Sequence, residues 1–220
     1  MKSRIQNAWT AIPRVTRGVL SFLLVLNLTA LVLRAFHLVD LGDLLALNPA
    51  LVLKGQIWRL ITHSLIEAGL LNLVVSLFLL AGMLPRLEQA WRPVEVISFC
   101  VIVSLGVGLI KLTLMKWSPS PLLGMGTLVL GTAMAWAKLF GDEVVQLFGT
   151  IPCTVRTMVY VALGITVVLS LMLSPGSVLD TFLALSGAMV AWVYLSLRWE
   201  RNRRVEMQTV ATARFERLEL

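Results

Sequence analysis

Histidine, cysteine and charge are what this chain has least of. Its 220 residues include two histidines, two cysteines and 14% charged residues, against about 25% charge in an average soluble domain. Cys100 and Cys153 form no Cys-x-x-Cys pair and no cluster with histidine, so they read as free structural thiols. His63 with Glu67, four residues on, reads as an ion pair or a chance polar surface and falls short of the three protein ligands a metal site requires, so neither metal nor cofactor is expected. No small-residue cleavage site follows the first apolar run, so no cleaved signal peptide is expected. A low-complexity tract, a terminal retrieval signal and the paired interrupted helices of secondary transporters are missing as well.

What is present is apolar. The hydrophobic fraction is 58%, and charge gathers at the two ends and a few short breaks. Long charge-free runs mark repeated membrane crossings, with the lipid bilayer as first partner. The net charge of +7 fits topology better than nucleic acid, because Lys2, Arg4, Arg14 and Arg17 precede the first run and Arg198, Arg201, Arg203 and Arg204 follow the last.

The expected organisation is a basic N-terminus over 1–17, a membrane domain over 18–200 and a polar C-terminal tail over 201–220. Six spans are expected, over 18–34, 69–84, 94–115, 122–139, 155–173 and 178–197. Pro85 with Arg86 stops the second, and Lys111 snorkels at the end of the third. Residues 35–56, with His37, Asp40, Asp43, Asn48 and Pro49, suit a loop on or partly in the interface that continues through Trp58 to Ser64. The fold class is therefore an all-α bundle of six transmembrane helices with a membrane-associated first loop. Six crossings put both termini on one side. Cytoplasmic termini leave fourteen of the nineteen Lys and Arg residues inside, which supports N-in and C-in.

Small residues drive helix contact in lipid. Gly124, Thr127 and Gly131 share one helical face, and Ala184, Ala188 and Ala191 another, so the fourth and sixth segments are expected to pack together. Asn72 and Ser76, four apart, share a face of the second segment. The expected role of Asn72 is a bond across the bundle or to a backbone carbonyl. Arg59 either snorkels beneath Trp58 or pins the loop to the bundle through backbone carbonyls or Glu88. On both readings its loss damages folding.

The stretch WRLITHSLIEAGLLNLVVSLFLLAGMLPRLEQAW, residues 58–91, resembles the first loop and second helix of the rhomboid-like superfamily. Trp58, Arg59 and Glu88 match that pattern, while the family's oxyanion histidine and asparagine are Asn72 and Ser76 here. Gly124 and Gly131 match the glycines flanking the family's nucleophile, whose serine position holds Gly126 and whose following glycine is Thr127. Ala184-Leu185-Ser186-Gly187 matches a His-x-x-Gly motif, with Ala184 in the general-base position and Gly187 retained. Within the superfamily, THSLIEAGLLNLVVS, LPRLEQAW, GDEVVQLFGTIPCTVR and AWVYLSLRWERNRR resemble the transmembrane protein 115 branch.

The resemblance implies a pseudoprotease, not an enzyme, because serine proteolysis needs an activated hydroxyl and a base within reach. It implies a membrane protein that binds transmembrane clients, between the second and fifth segments, or acts in membrane protein trafficking or quality control. For a eukaryotic chain it implies Golgi-to-endoplasmic-reticulum transport and a Golgi membrane, and for a prokaryotic one the inner membrane. A cytosolic partner of the basic tail is a further expectation, and nucleic acid is not one. Two other functions stand beside this one: an active intramembrane protease with non-standard residues, and a small transporter.

Overall fold

In lipid, a charge-free run of Leu, Val and Ala satisfies its own backbone polar groups as a helix. The computed structural model describes residues 12–114, 120–147, 151–173, 179 and 181–198. Its helices are α1 (Arg14–Ala35), α2 (Leu41–Leu45), α3 (Pro49–Leu53), α4 (Arg59–Thr62), α5 (Leu70–Ala90), α6 (Pro93–Thr113), α7 (Gly126–Phe140) and α8 (Val155–Leu173). A last helix, α9, covers Thr181–Arg198. Strands β1 (Val144–Leu147) and β2 (Ile151–Thr154) form an antiparallel hairpin between α7 and α8.

Among the described residues, five helices are long and apolar enough to cross a membrane: α1, α5, α6, α8 and α9. This corrects the expectation of six. The fourth expected segment becomes α7, only 15 residues long, which at about 1.5 Å per residue falls short of a hydrocarbon core roughly 30 Å thick. Its first four expected residues are not helical. Leu122 pairs with Leu47 in an isolated β-bridge, and Gly124 takes φ +135°. The molecule is thus a multi-span membrane protein with one shorter apolar helix inside it, and the parity count behind N-in and C-in loses its premise.

Pro85 does not stop α5, which runs on to Ala90. Proline costs a helix one hydrogen bond, and here Leu84, Leu87 and Glu88 are all buried around it. Glu88 explains much of this. Its carboxylate accepts the Val15 amide at 3.0 Å, the Thr16 amide at 2.6 Å and the Thr16 hydroxyl at 2.7 Å. The α1 N-cap, Pro13, offers no side-chain cap, so a carboxylate from α5 serves the first-turn amides that lack a helical partner and the positive end of the helix dipole.

Phe99 of α6 forms the centre of the core, with ring centroids 5.3 Å from Trp91 and 5.8 Å from Tyr194. Arg198 of α9 bonds Glu95 of α6 at 2.6 Å and lies over the Trp91 ring. These contacts put the start of α1, the end of α5, the start of α6 and the end of α9 at one end of the bundle.

The expected contact between the fourth and sixth segments is present and is closest at Gly187. A Cβ there would overlap the Thr127 carbonyl, and one on Gly131 would come 3.1 Å from the Gly187 carbonyl oxygen. Residues 1–11 of the expected basic N-terminus and the whole of the expected tail over 201–220 lie outside the described residues.

Candidate functional site

The residues that the loop and α5 bring together begin with Arg59. It is only 4% exposed, whereas Trp58 is 48% exposed. It therefore does not snorkel. Its Nη1 donates to the carbonyls of Asp43 at 2.7 Å and Ala46 at 2.6 Å, and its Nε to Gln56 Oε1 at 2.7 Å. The loop is pinned through backbone carbonyls at the end of α2, the second of the two expected readings, and Glu88 has no part in it.

His63 follows α4 and is completely buried. Its Nδ1 lies 3.3 Å from the Arg59 carbonyl, so Nδ1 carries the proton and donates, leaving Nε2 bare. Nε2 has no hydrogen-bond partner among the described residues. Burial lowers the His63 pKa from 6.5 to about 4, outweighing the backbone bonds to Arg59 and Leu60 that raise it. The neighbouring Ser64 hydroxyl lies 2.6 Å from that of Ser104, which ties the loop to α6.

The loop then delivers Glu67 to the start of α7. Asn27 of α1 holds the segment, its Oδ1 accepting the Glu67 amide at 2.8 Å and its Nδ2 donating to Leu65 O at 2.8 Å. Glu67 Oε1 accepts from Ser76 Oγ at 2.9 Å and from the Met125 amide at 3.0 Å. Thus Ser76 serves Glu67, and Glu67 serves the amide end of α7. His63 and Glu67 form no ion pair among the described residues.

A cavity of about 730 Å³ opens beside this junction, lined by residues that include Glu67, Asn72, Ser76, Gly124, Gly126, Thr127 and Ala184. Both expected oxyanion positions and both expected dyad positions therefore meet at one cavity. Trp58, Arg59, Glu88, Gly131 and Gly187 lie elsewhere, in the loop anchor, the α1 cap and the α7–α9 contact. Asn72 makes no side-chain hydrogen bond among the described residues, contrary to the expected cross-bundle bond, and is exposed on α5. Gly126 has open space where a side chain would start. Lys111 also lines the cavity and is 1% exposed, so it does not snorkel either.

Glu67 entered the sequence reading only as a neighbour of His63, and its role at the start of α7 was not foreseen. A carboxylate just before a long apolar run is the signal that marks it, since such a group needs partners that the bundle must supply.

A family model described as eukaryotic integral membrane protein (DUF1751) matches residues 17–204. A search of curated proteins finds no match.

Proposed function

The chain belongs to the DUF1751 family of eukaryotic integral membrane proteins, and we propose that it is a catalytically inactive rhomboid-like protein of the transmembrane protein 115 type. On this reading it binds transmembrane clients and serves membrane protein trafficking or quality control between the Golgi and the endoplasmic reticulum, from the Golgi membrane. One observation carries the reading: Asn72, Ser76, Gly126 and Ala184 line one cavity. In a rhomboid arrangement, the nucleophile and base would be expected there, and glycine and alanine supply neither. His63 is held by the Arg59 carbonyl in the loop. Leu71, Val75 and Leu79 of α5 and Thr166 of α8 line the same cavity, which supports entry of a client between these two helices.

The test is proximity labelling and mild-detergent pulldown in the native cell, comparing the natural chain, a Gly126→Leu variant that fills the cavity, and an unrelated multi-span protein. The expected result is enrichment of single-span membrane proteins or trafficking components with the natural chain and its loss with Gly126→Leu. Recovery of only the control background rejects client binding. Covalent labelling of Thr127 by a hydroxyl-reactive protease probe rejects inactivity.

A further inference from the structure

Charge is divided unequally between the two ends of the bundle. The starts of α1, α6 and α8 share one end with the ends of α5, α7 and α9. They are tied there by Glu88 on the α1 amides, by Arg86 to Glu143 and Arg198 to Glu95, both at 2.6 Å, and by Lys138 to Ser196 at 2.5 Å. Arg156 to Asp142, at 3.2 Å, completes the set. Among the described residues this end carries seven cations against four carboxylates. At the loop end the exposed charges balance, Arg34 and Lys54 against Asp40 and Asp43, while Arg59 and Lys111 are buried.

Every carboxylate at the first end is already held. Glu88 accepts three hydrogen bonds from α1, and Glu95, Asp142 and Glu143 each pair with an arginine. Arg14 and Arg17 make no ion pair among the described residues, and Arg92 acts on Glu95 only from beyond the close contact that Arg198 makes. Arg14 and Arg92 are exposed, and Arg17 is half-buried. The Glu88 contact sets Arg14 and Arg17, on either side of Val15 and Thr16, beside the α5–α6 turn that carries Arg92. Cations gathered on one surface repel one another and draw an anion. Deeper along the same helices lie exposed apolar side chains, Phe22 and Val25 of α1 and Val94 and Ile97 of α6. A fitting occupant therefore brings negative charge at one end and an apolar body running away from it.

We propose that this end of the bundle binds the phosphate of an anionic phospholipid. The headgroup lies against Arg14, Arg17 and Arg92, and the acyl chains lie on the exposed faces of α1 and α6. A nucleic acid or an acidic peptide matches the charge but gains nothing from Phe22, Val25, Val94 and Ile97, which favours the lipid. The cavity beside Glu67 lies toward the loop end, so this inference stands independently of client binding.

The test titrates the purified full chain in detergent with phosphatidylcholine, phosphatidylglycerol and phosphatidic acid on identical acyl chains, and native mass spectrometry reads occupancy. A basic side chain near a charged surface is worth about fivefold in binding. Phosphatidylglycerol should therefore bind roughly tenfold tighter than phosphatidylcholine, and phosphatidic acid tighter again, with the preference shrinking as salt rises from about 0.05 to 0.5 M. The triple variant Arg14→Gln, Arg17→Gln, Arg92→Gln should bring the preference below about threefold, whereas Arg34→Gln with Lys54→Gln at the loop end should leave it intact. If the triple variant melts early, Arg14→Gln and Arg92→Gln singly, both at exposed positions, carry the comparison, each with a drop of about fivefold. Equal binding across the series in the natural chain overturns the inference whether or not any variant folds. So does a preference indifferent to salt, one that survives the arginine variants, or one lost equally with the loop-end pair. Competition by inorganic phosphate as strong as by the lipid would make this a site for free phosphate, and displacement by an acidic peptide at lower concentration than the lipid would make it a protein surface; either rejects the lipid. None of these outcomes bears on the Gly126→Leu pulldown, so the two readings fail separately.

Discussion

Arg59 and His63 are neighbours in the loop with opposite electrostatic solutions. Arg59 is a buried cation made tolerable by the carbonyls of Asp43 and Ala46 and by Gln56. Arg59→Met keeps the apolar stem and strands those acceptors. Each unpaired buried acceptor costs about 1–3 kcal/mol, so a loss of about 2–4 kcal/mol is expected in chemical unfolding in detergent. A loss below about 0.5 kcal/mol, the range of an ordinary surface change, would return Arg59 to the role of a snorkelling side chain. His63 is instead buried neutral. Between pH 6.5 and about 4 the unfolded chain binds the imidazole proton and the folded chain does not. Stability is therefore complete above pH 6.5 and falls as pH drops through that window, by up to roughly 3 kcal/mol. His63→Gln should flatten the dependence of unfolding on pH across the window, and an unchanged slope would assign it to other groups.

Among the elements, α7 separates what was legible from what was not. The charge-free runs that became α1, α5, α6, α8 and α9 were readable because lipid demands helix and apolarity together. The same apolarity led α7 to be read as a span over 122–139. Composition does not distinguish burial in lipid from burial in protein, and Leu128, Val129, Ala133, Ala135 and Trp136 are buried by neighbouring helices. The lost turn at its start depends on Leu47, far away in sequence. Likewise, Met125, one of the partners of Glu67, is distant in sequence and left no local mark. The small-residue faces were legible, because close approach in lipid requires them. Gly187→Ala should destabilise by about 1–3 kcal/mol or more, since the new methyl meets Thr127 backbone and not a side chain that can turn away. Gly164→Ala, in α8 with nothing within 4 Å, should be neutral or gain up to about 1 kcal/mol from helix propensity alone. Equal effects of the two substitutions in detergent unfolding would show that the α7–α9 approach carries no stability.

Across the whole molecule, packing is unequal around the cavity. Helices α5 and α6 are tied in by the core around Phe99, by Glu88 on α1 and by Arg198 on Glu95. Helix α8 packs on α7 and β2, and Tyr160, Val161, Ile165, Val168, Leu169 and Met172 are exposed along it. Its ion pair, Arg156 to Asp142 at 3.2 Å, is solvent-exposed and so worth little, about 0–1 kcal/mol. Regions with few buried apolar contacts open at lower free energy than the core. The α8 wall is therefore the one expected to move when a ligand enters beside α5. Spin labels at Ile165 of α8 and Ile102 of α6 should give a broader distance distribution than labels at Val74 of α5 and Ile102. Filling the cavity with Gly126→Leu should narrow the first distribution and leave the second unchanged. Equal widths in the natural chain would mean that α8 is as fixed as α5, and entry would then have to come from the loop side, past Glu67 and Leu123, which also line the smaller cavity of about 200 Å³ beneath the loop.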